Sequence, residues 1–165
     1  MCKVVARYFT LRQAEGLLPE VEHGLRDALF HKAEAEKAHQ ELEEASDRIR
    51  MAGGTRVNPS KMLALRARRD TSAAALKDAL EQVEDTGAQV KDLDIGLIDF
   101  LSRFQDRDVC LCWKLGETGI HFWHGVEEGF RGRKPIDEEF RDGHSGDDSD
   151  GSGRGFGENP GPALN

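Results

Sequence analysis

Two long stretches share one spacing rule, and together they leave the chain few folds to choose from. Over residues 20 to 51 and just ahead of them, Leu18, Val21, Leu25, Ala28, Lys32, Ala35, His39, Leu42, Ser46 and Ile49 recur in steps of three and four, the period of one face of an α-helix. From Pro59 to Val83 the rule returns with Met62, Leu65, Arg69, Ser72, Leu76, Ala79 and Val83. Ala52-Gly53-Gly54 breaks the first helix, and Asn58-Pro59 supplies an N-cap and a proline at the first helical position of the second. A short connection makes two helices antiparallel neighbours. Thr10 to Gln13 forms a capping box ahead of Leu11. Pro19 then ends a short first helix or restarts a longer one. Gly87 is placed to close the second helix. The seam is thin, diluted by alanine and polar residues, so the hairpin needs more cover than its own two helices. The β-rich piece at one end and a second copy of the hairpin are the expected sources, which makes the protein a homodimer with the character of a short coiled coil.

After Gly87 the period changes from helical to alternating. Residues 88–93, 95–101, 109–115 and 120–124 read as strands of a small antiparallel sheet of three or four strands, with residues 105–108 as a turn. Residues 4–9 form a further short strand or an extended arm. Seven of the eleven aromatic residues lie between Phe100 and Phe140, so this piece holds the main core. The expected architecture is α+β: a helical hairpin over residues 10–86 and a β-rich head over 88–136, one domain ending at residue 140. Residues 141–165 carry seven of the eighteen glycines beside Asp and Ser and are expected to be a disordered acidic tail.

Charge and composition exclude several classes. A net charge of −8 and a pI near 5.3 oppose nucleic-acid binding, which needs a basic face. No run reaches the roughly 18 apolar residues of a membrane span, and the first residues lack a secretory signal. Three cysteines make no disulfide framework. The expected compartment is a reducing cytoplasm.

The pieces YFTLRQAEGLLPEV, KDLDIGLIDF, LCWKLGE, FWHGVEEGF and GRKPI stand in order across residues 8–136. As a set they resemble an uncharacterised bacterial family, domain of unknown function family 2203. The resemblance implies the hairpin-plus-sheet fold and a cytoplasmic bacterial protein, and it implies no activity. The chain departs from that family's pattern at Cys110 and in the turn at residues 103–106.

Few residues point to chemistry. Cys110, Cys112, His121 and His124 are the types that bind zinc. A four-residue turn centred on Glu117-Thr118 pairs Cys112 with Trp123 and Leu111 with His124. It sets Cys110, Cys112, Lys114, His121 and Trp123 on one face and Trp113 and His124 on the other. Four ligands then do not converge, and packed thiols are favoured over a zinc site. Asp99 sits in the most apolar strand, where a charge must be paired. Lys114, Arg103, Arg107 and His124 are its candidate partners, and an ion pair is favoured over a catalytic Asp99–His124 couple. Residues 129–134, with Arg131 and Arg133, form a basic glycine-rich loop. It is a candidate for anion binding, although a plain surface loop is favoured. Residues 147–151 fail the calcium-loop spacing.

Two functions from different classes follow. The first is a non-enzymatic interaction or oligomerisation module built on the hairpin. The second is a small-ligand or metal-dependent enzyme with its site near Asp99, Trp113, Lys114, His124 and Arg131; Trp123 and Arg133 are further ligand-binding candidates. The first is favoured, because no catalytic set assembles from the sequence.

Overall fold

The computed structural model describes residues 6–54 and 58–147. Helix α1 (Leu11–Met51) opens on the predicted capping box: the Thr10 hydroxyl accepts from the Gln13 N–H, and the Gln13 amide oxygen accepts from the Thr10 N–H. It runs unbroken through Pro19, contrary to both sequence alternatives. A proline inside a helix costs about 3 kcal/mol. Burial of Ala14 on one side of it, and of Val21 and Leu25 on the other, holds the chain helical across the gap. Helix α2 (Pro59–Asp85) starts at its Asn58 cap and lies along α1. Gly87, at φ +93°, follows its end in the left-handed conformation that glycine adopts freely.

The seam between the helices is narrow for a structural reason. A Cβ built on Gly24 would stand 2.6 Å from the Val83 methyl, so this glycine lets the two backbones approach closely. Buried seam residues are small or sparse: Val21, Gly24, Leu25, Ala28, Ala38 and Leu42 on α1, and Leu65, Ala79 and Val83 on α2. His39 and Ser46, expected in the seam, are exposed.

The sheet is larger than the sequence suggested. Strands β1 (Gln89–Asp92), β2 (Leu97–Phe104), β3 (Arg107–Lys114), β4 (Phe122–Gly125) and β5 (Lys134–Pro135) follow in that order, all antiparallel. A two-residue strand, β6 (His144–Ser145), joins the outer edge of β2. Sequence alternation misses β5 and β6 because a two-residue strand has no period. The β2–β3 turn holds Gln105 and Asp106 at φ 51° and 60°, as a two-residue hairpin turn of type I′ requires.

Residues 141–147, assigned to the tail, belong to the fold. Helix α3 (Glu138–Gly143) carries Phe140 into the core, and His144 stacks on that ring at 5.3 Å. The Leu11 N–H donates to His144 Nε2, and the Asp147 N–H to the Tyr8 carbonyl. The rest of the expected tail, residues 148–165, lies outside the described residues. So do residues 4 and 5 of the expected N-terminal strand. Phe9 of that segment is fully buried, and its N–H donates to the Leu101 carbonyl.

One face of the sheet builds the core. Ile98 and Phe100 of β2 join Val109, Leu111 and Trp113 of β3 against Val21, Leu25 and Val83 of the hairpin, with Phe9 and Phe140 closing the ends. Strand alternation turns Asp99, Leu101, Cys110 and Cys112 to the opposite face. That second face carries the candidate site.

Candidate functional site

The β3–β4 connection decides what meets on the second face. The expected four-residue turn is instead a seven-residue loop over residues 115–121. Glu117 organises it. Its N–H donates to the Lys114 carbonyl, its carboxylate accepts from the Lys114 N–H, and its carbonyl accepts from the Trp113 indole. Ile120 packs into the core before β4 begins. The pairing therefore slips by one residue: Cys112 faces Phe122, Leu111 faces Trp123, and Cys110 faces His124. A one-residue slip moves every side chain of β4 to the other face. His124 joins Cys110, Cys112 and Asp99, while Trp123 joins the core side, reversing the sequence assignment. The signal in the sequence was the pair Gly116 and Gly119 flanking Glu117-Thr118, which suits a longer loop as well as a tight turn.

Asp99 of β2, Cys112 of β3 and His124 of β4 then converge. Asp99 and Cys112 are cross-strand partners. One donor atom from each of the three lies within 4.8 Å of the others. Asp99 and His124 are 2% exposed and Cys112 is fully buried. His124 Nε2 stands 3.2 Å from Asp99 Oδ1, and Nδ1 stands 2.8 Å from the Gly125 carbonyl oxygen. Both ring nitrogens thus face acceptors. The hydrogen bond to Asp99, then that to Cys112, outweigh burial and raise the imidazole to about 10, so the ring carries a proton on each nitrogen. Cys110, on the same face, has its thiol pushed up to about 12 by burial and by the Asp99 charge. Both cysteines are free; the third, Cys2, lies outside the described residues.

The same atoms discriminate between chemistries. A cysteine–histidine–aspartate catalytic triad needs the carboxylate on one ring nitrogen and the thiol on the other, so that a proton can pass. Here the carboxylate is on Nε2 and Nδ1 is held by a backbone carbonyl, which leaves the thiol no ring nitrogen of its own. The trio is also closed to solvent. It does not form a triad. An Nδ1–H bonded to a main-chain carbonyl does leave Nε2 aimed as metal-binding histidines aim it.

The remaining candidates fall elsewhere. Trp113 is a core residue, 1% exposed. Lys114 is half-buried at the end of β3. Trp123 is half-buried; it stacks on Phe140 at 4.8 Å, with the Lys134 ammonium over its ring. His121 is exposed and bonds Thr118, away from the cysteines. In the basic loop, Arg133 makes two 2.8 Å hydrogen bonds to Glu117, reaches the Cys112 carbonyl at 3.3 Å, and lies against Phe122 and Phe130. Burial raises the Glu117 carboxyl, but Arg133 and the Lys114 N–H bring it below its usual range. Lys134 meets Glu128 at 2.8 Å. The loop's cations at 133 and 134 are therefore spent on carboxylates, and Arg131 is exposed.

A model of uncharacterised conserved proteins, DUF2203, matches residues 7–136. The chain belongs to the DUF2203 family. The match spans the hairpin, β1 to β5 and all three members of the buried trio, and stops before α3 and β6. Comparison with curated proteins gave no match, and neither did comparison with solved structures. No helix among the described residues is long and apolar enough to cross a membrane.

A second surface stands apart from the head. The Lys32–Asp94 ion pair fastens the β1–β2 turn to α1. Beyond that pair α1 runs on from residue 33 to 51, about 28 Å at 1.5 Å per residue, with α2 as its neighbour. In this arm the buried apolar residues are Ala38, Leu42 and Leu65, while Leu63 is 69% and Met51 92% exposed. Phe30, at the arm's root, is 61% exposed. The two helices also differ in charge. Glu34, Glu36, Glu41, Glu43, Glu44 and Asp47 outnumber Lys37, Arg48 and Arg50 on α1. Lys61, Arg66, Arg68 and Arg69 outnumber Asp70 on the facing part of α2.

Proposed function

We propose that this protein is a non-enzymatic self-association module of a bacterial cytoplasm, its hairpin arm pairing with the arm of a second copy and its sheet head acting as a rigid base. The observation that carries this reading is the charge division along the arm. An acidic helix beside a basic one is self-complementary under a two-fold axis, which lays α1 of each copy on α2 of the other. Arg68 already meets Glu34 and Glu41 inside one chain, at 2.8 Å and 3.5 Å, so a repeat of that pairing between chains uses compatible chemistry. The exposed Leu63 and Phe30 would supply the apolar contact.

The scale fits a reversible dimer. An arm about 28 Å long and two helices wide offers on the order of 500 Å² per copy, near the lower end of specific interfaces. The test is sedimentation equilibrium of the wild type beside a Lys61→Glu/Arg66→Glu variant. Both side chains are exposed, so the fold should survive. The wild type should dimerise and the variant should be monomeric. A dimer that ignores the charge reversal would overturn the pairing.

The buried trio supports a second reading, in which the head holds a small ligand or metal ion near Asp99 and His124.

A further inference from the structure

We infer that Asp99, Cys112 and His124 form a zinc site, with Nε2 of His124, the Cys112 thiolate and the Asp99 carboxylate as ligands. The three donors come from three adjacent strands and lie within 4.8 Å of one another. They combine nitrogen, sulfur and oxygen, a mixture that zinc accepts at about 2.0–2.3 Å without a geometric preference of its own. The strands are hydrogen-bonded neighbours, so small side-chain rotations bring the donors onto a common ion.

Two features outside the ligand set suit that role. The Gly125 carbonyl holds His124 Nδ1 at 2.8 Å, which fixes the ring with Nε2 pointing inward. Arg133, anchored by Glu117, donates to the main-chain carbonyl of Cys112 at 3.3 Å and steadies the backbone that carries the sulfur. Loading sends the Cys112 thiol proton and the Nε2 proton of His124 into solvent, and no electrons move. Cys110 shares the face but stands outside the converging set, which makes it the internal control.

The first experiment strips the full chain with a chelator and titrates it with cobalt(II), a coloured stand-in for zinc. One cobalt per chain with a thiolate-to-metal absorption band, bleached by added zinc, is the expected result. Cys110→Ser should keep that band, while Cys112→Ser should abolish it and weaken zinc binding by roughly 100-fold or more, beyond the 10–100-fold typical of a lost supporting contact. No thiolate band in the wild type, a band that survives Cys112→Ser, or one that disappears in Cys110→Ser overturns the assignment. Should Cys112→Ser fail to fold, X-ray absorption of the zinc-loaded wild type decides. One sulfur at about 2.3 Å with nitrogen and oxygen neighbours supports the site; two sulfurs or none overturns it.

Discussion

The head and the arm are built on opposite principles. In the head, a six-stranded sheet buries large side chains on one face, with Phe104, Trp123, Phe140 and His144 in an aromatic stack. Its other face buries an ion pair and two thiols. Past the Lys32–Asp94 clasp, the arm buries Ala38, Leu42 and Leu65 and little else that is apolar among the described residues. Stability therefore concentrates in the head, because buried apolar area is what offsets chain entropy. Under the proposed pairing the arm can serve as a contact surface because the fold asks little of it. The contrast also places risk: a lost charge in the head is costly, while a reversed charge on the arm is cheap for the fold and, under the proposed pairing, decisive for association.

The sharpest way to test that contrast is Asp99→Ala. It leaves the His124 imidazolium buried without its partner, and breaking a buried pair from one side costs about 3–5 kcal/mol. Urea denaturation of the metal-free protein should show that loss; a loss under about 1 kcal/mol would break the comparison. In the arm, Leu42→Ala removes one of the few buried leucines from a seam open on its outer side. It should cost about 2 kcal/mol, at the low end for such truncations, and a cost rivalling Asp99→Ala would show the arm to be as tightly packed as the head.

A smaller effect is a drift with pH. The folded state raises His124 from its ordinary 6.5 to about 10. Its stabilising contribution is therefore complete below pH 6.5 and declines as pH rises through 10. Metal-free wild type should melt progressively lower from pH 6.5 to 9, and His124→Gln should lose most of that slope. An equally steep slope in the variant would remove His124 as the cause.

Much of this was legible in the sequence. The three-four spacing of Leu65, Ala79 and Val83 marked the α2 seam, and the Thr10 and Asn58 caps marked both helix starts, since helical period and capping are local properties. Asp99 in an apolar strand announced a buried charge, and His124 was among its possible partners. The trio itself was not legible. Its assembly depends on strand register, which the loop fixes through the three hydrogen bonds that tie Glu117 to Trp113 and Lys114 and through the burial of Ile120, contacts that no spacing rule encodes. The placement of residues 141–147 escaped for a similar reason. A segment of Gly, Asp and His reads as solvated until Phe140 and Leu11 are seen to hold it.

The most direct measurement is native mass spectrometry of the freshly purified full chain, taken across a dilution series. Pairing through the arm predicts a species at twice the 18.3 kDa chain mass that dissociates on dilution. A monomer at every concentration would contradict it.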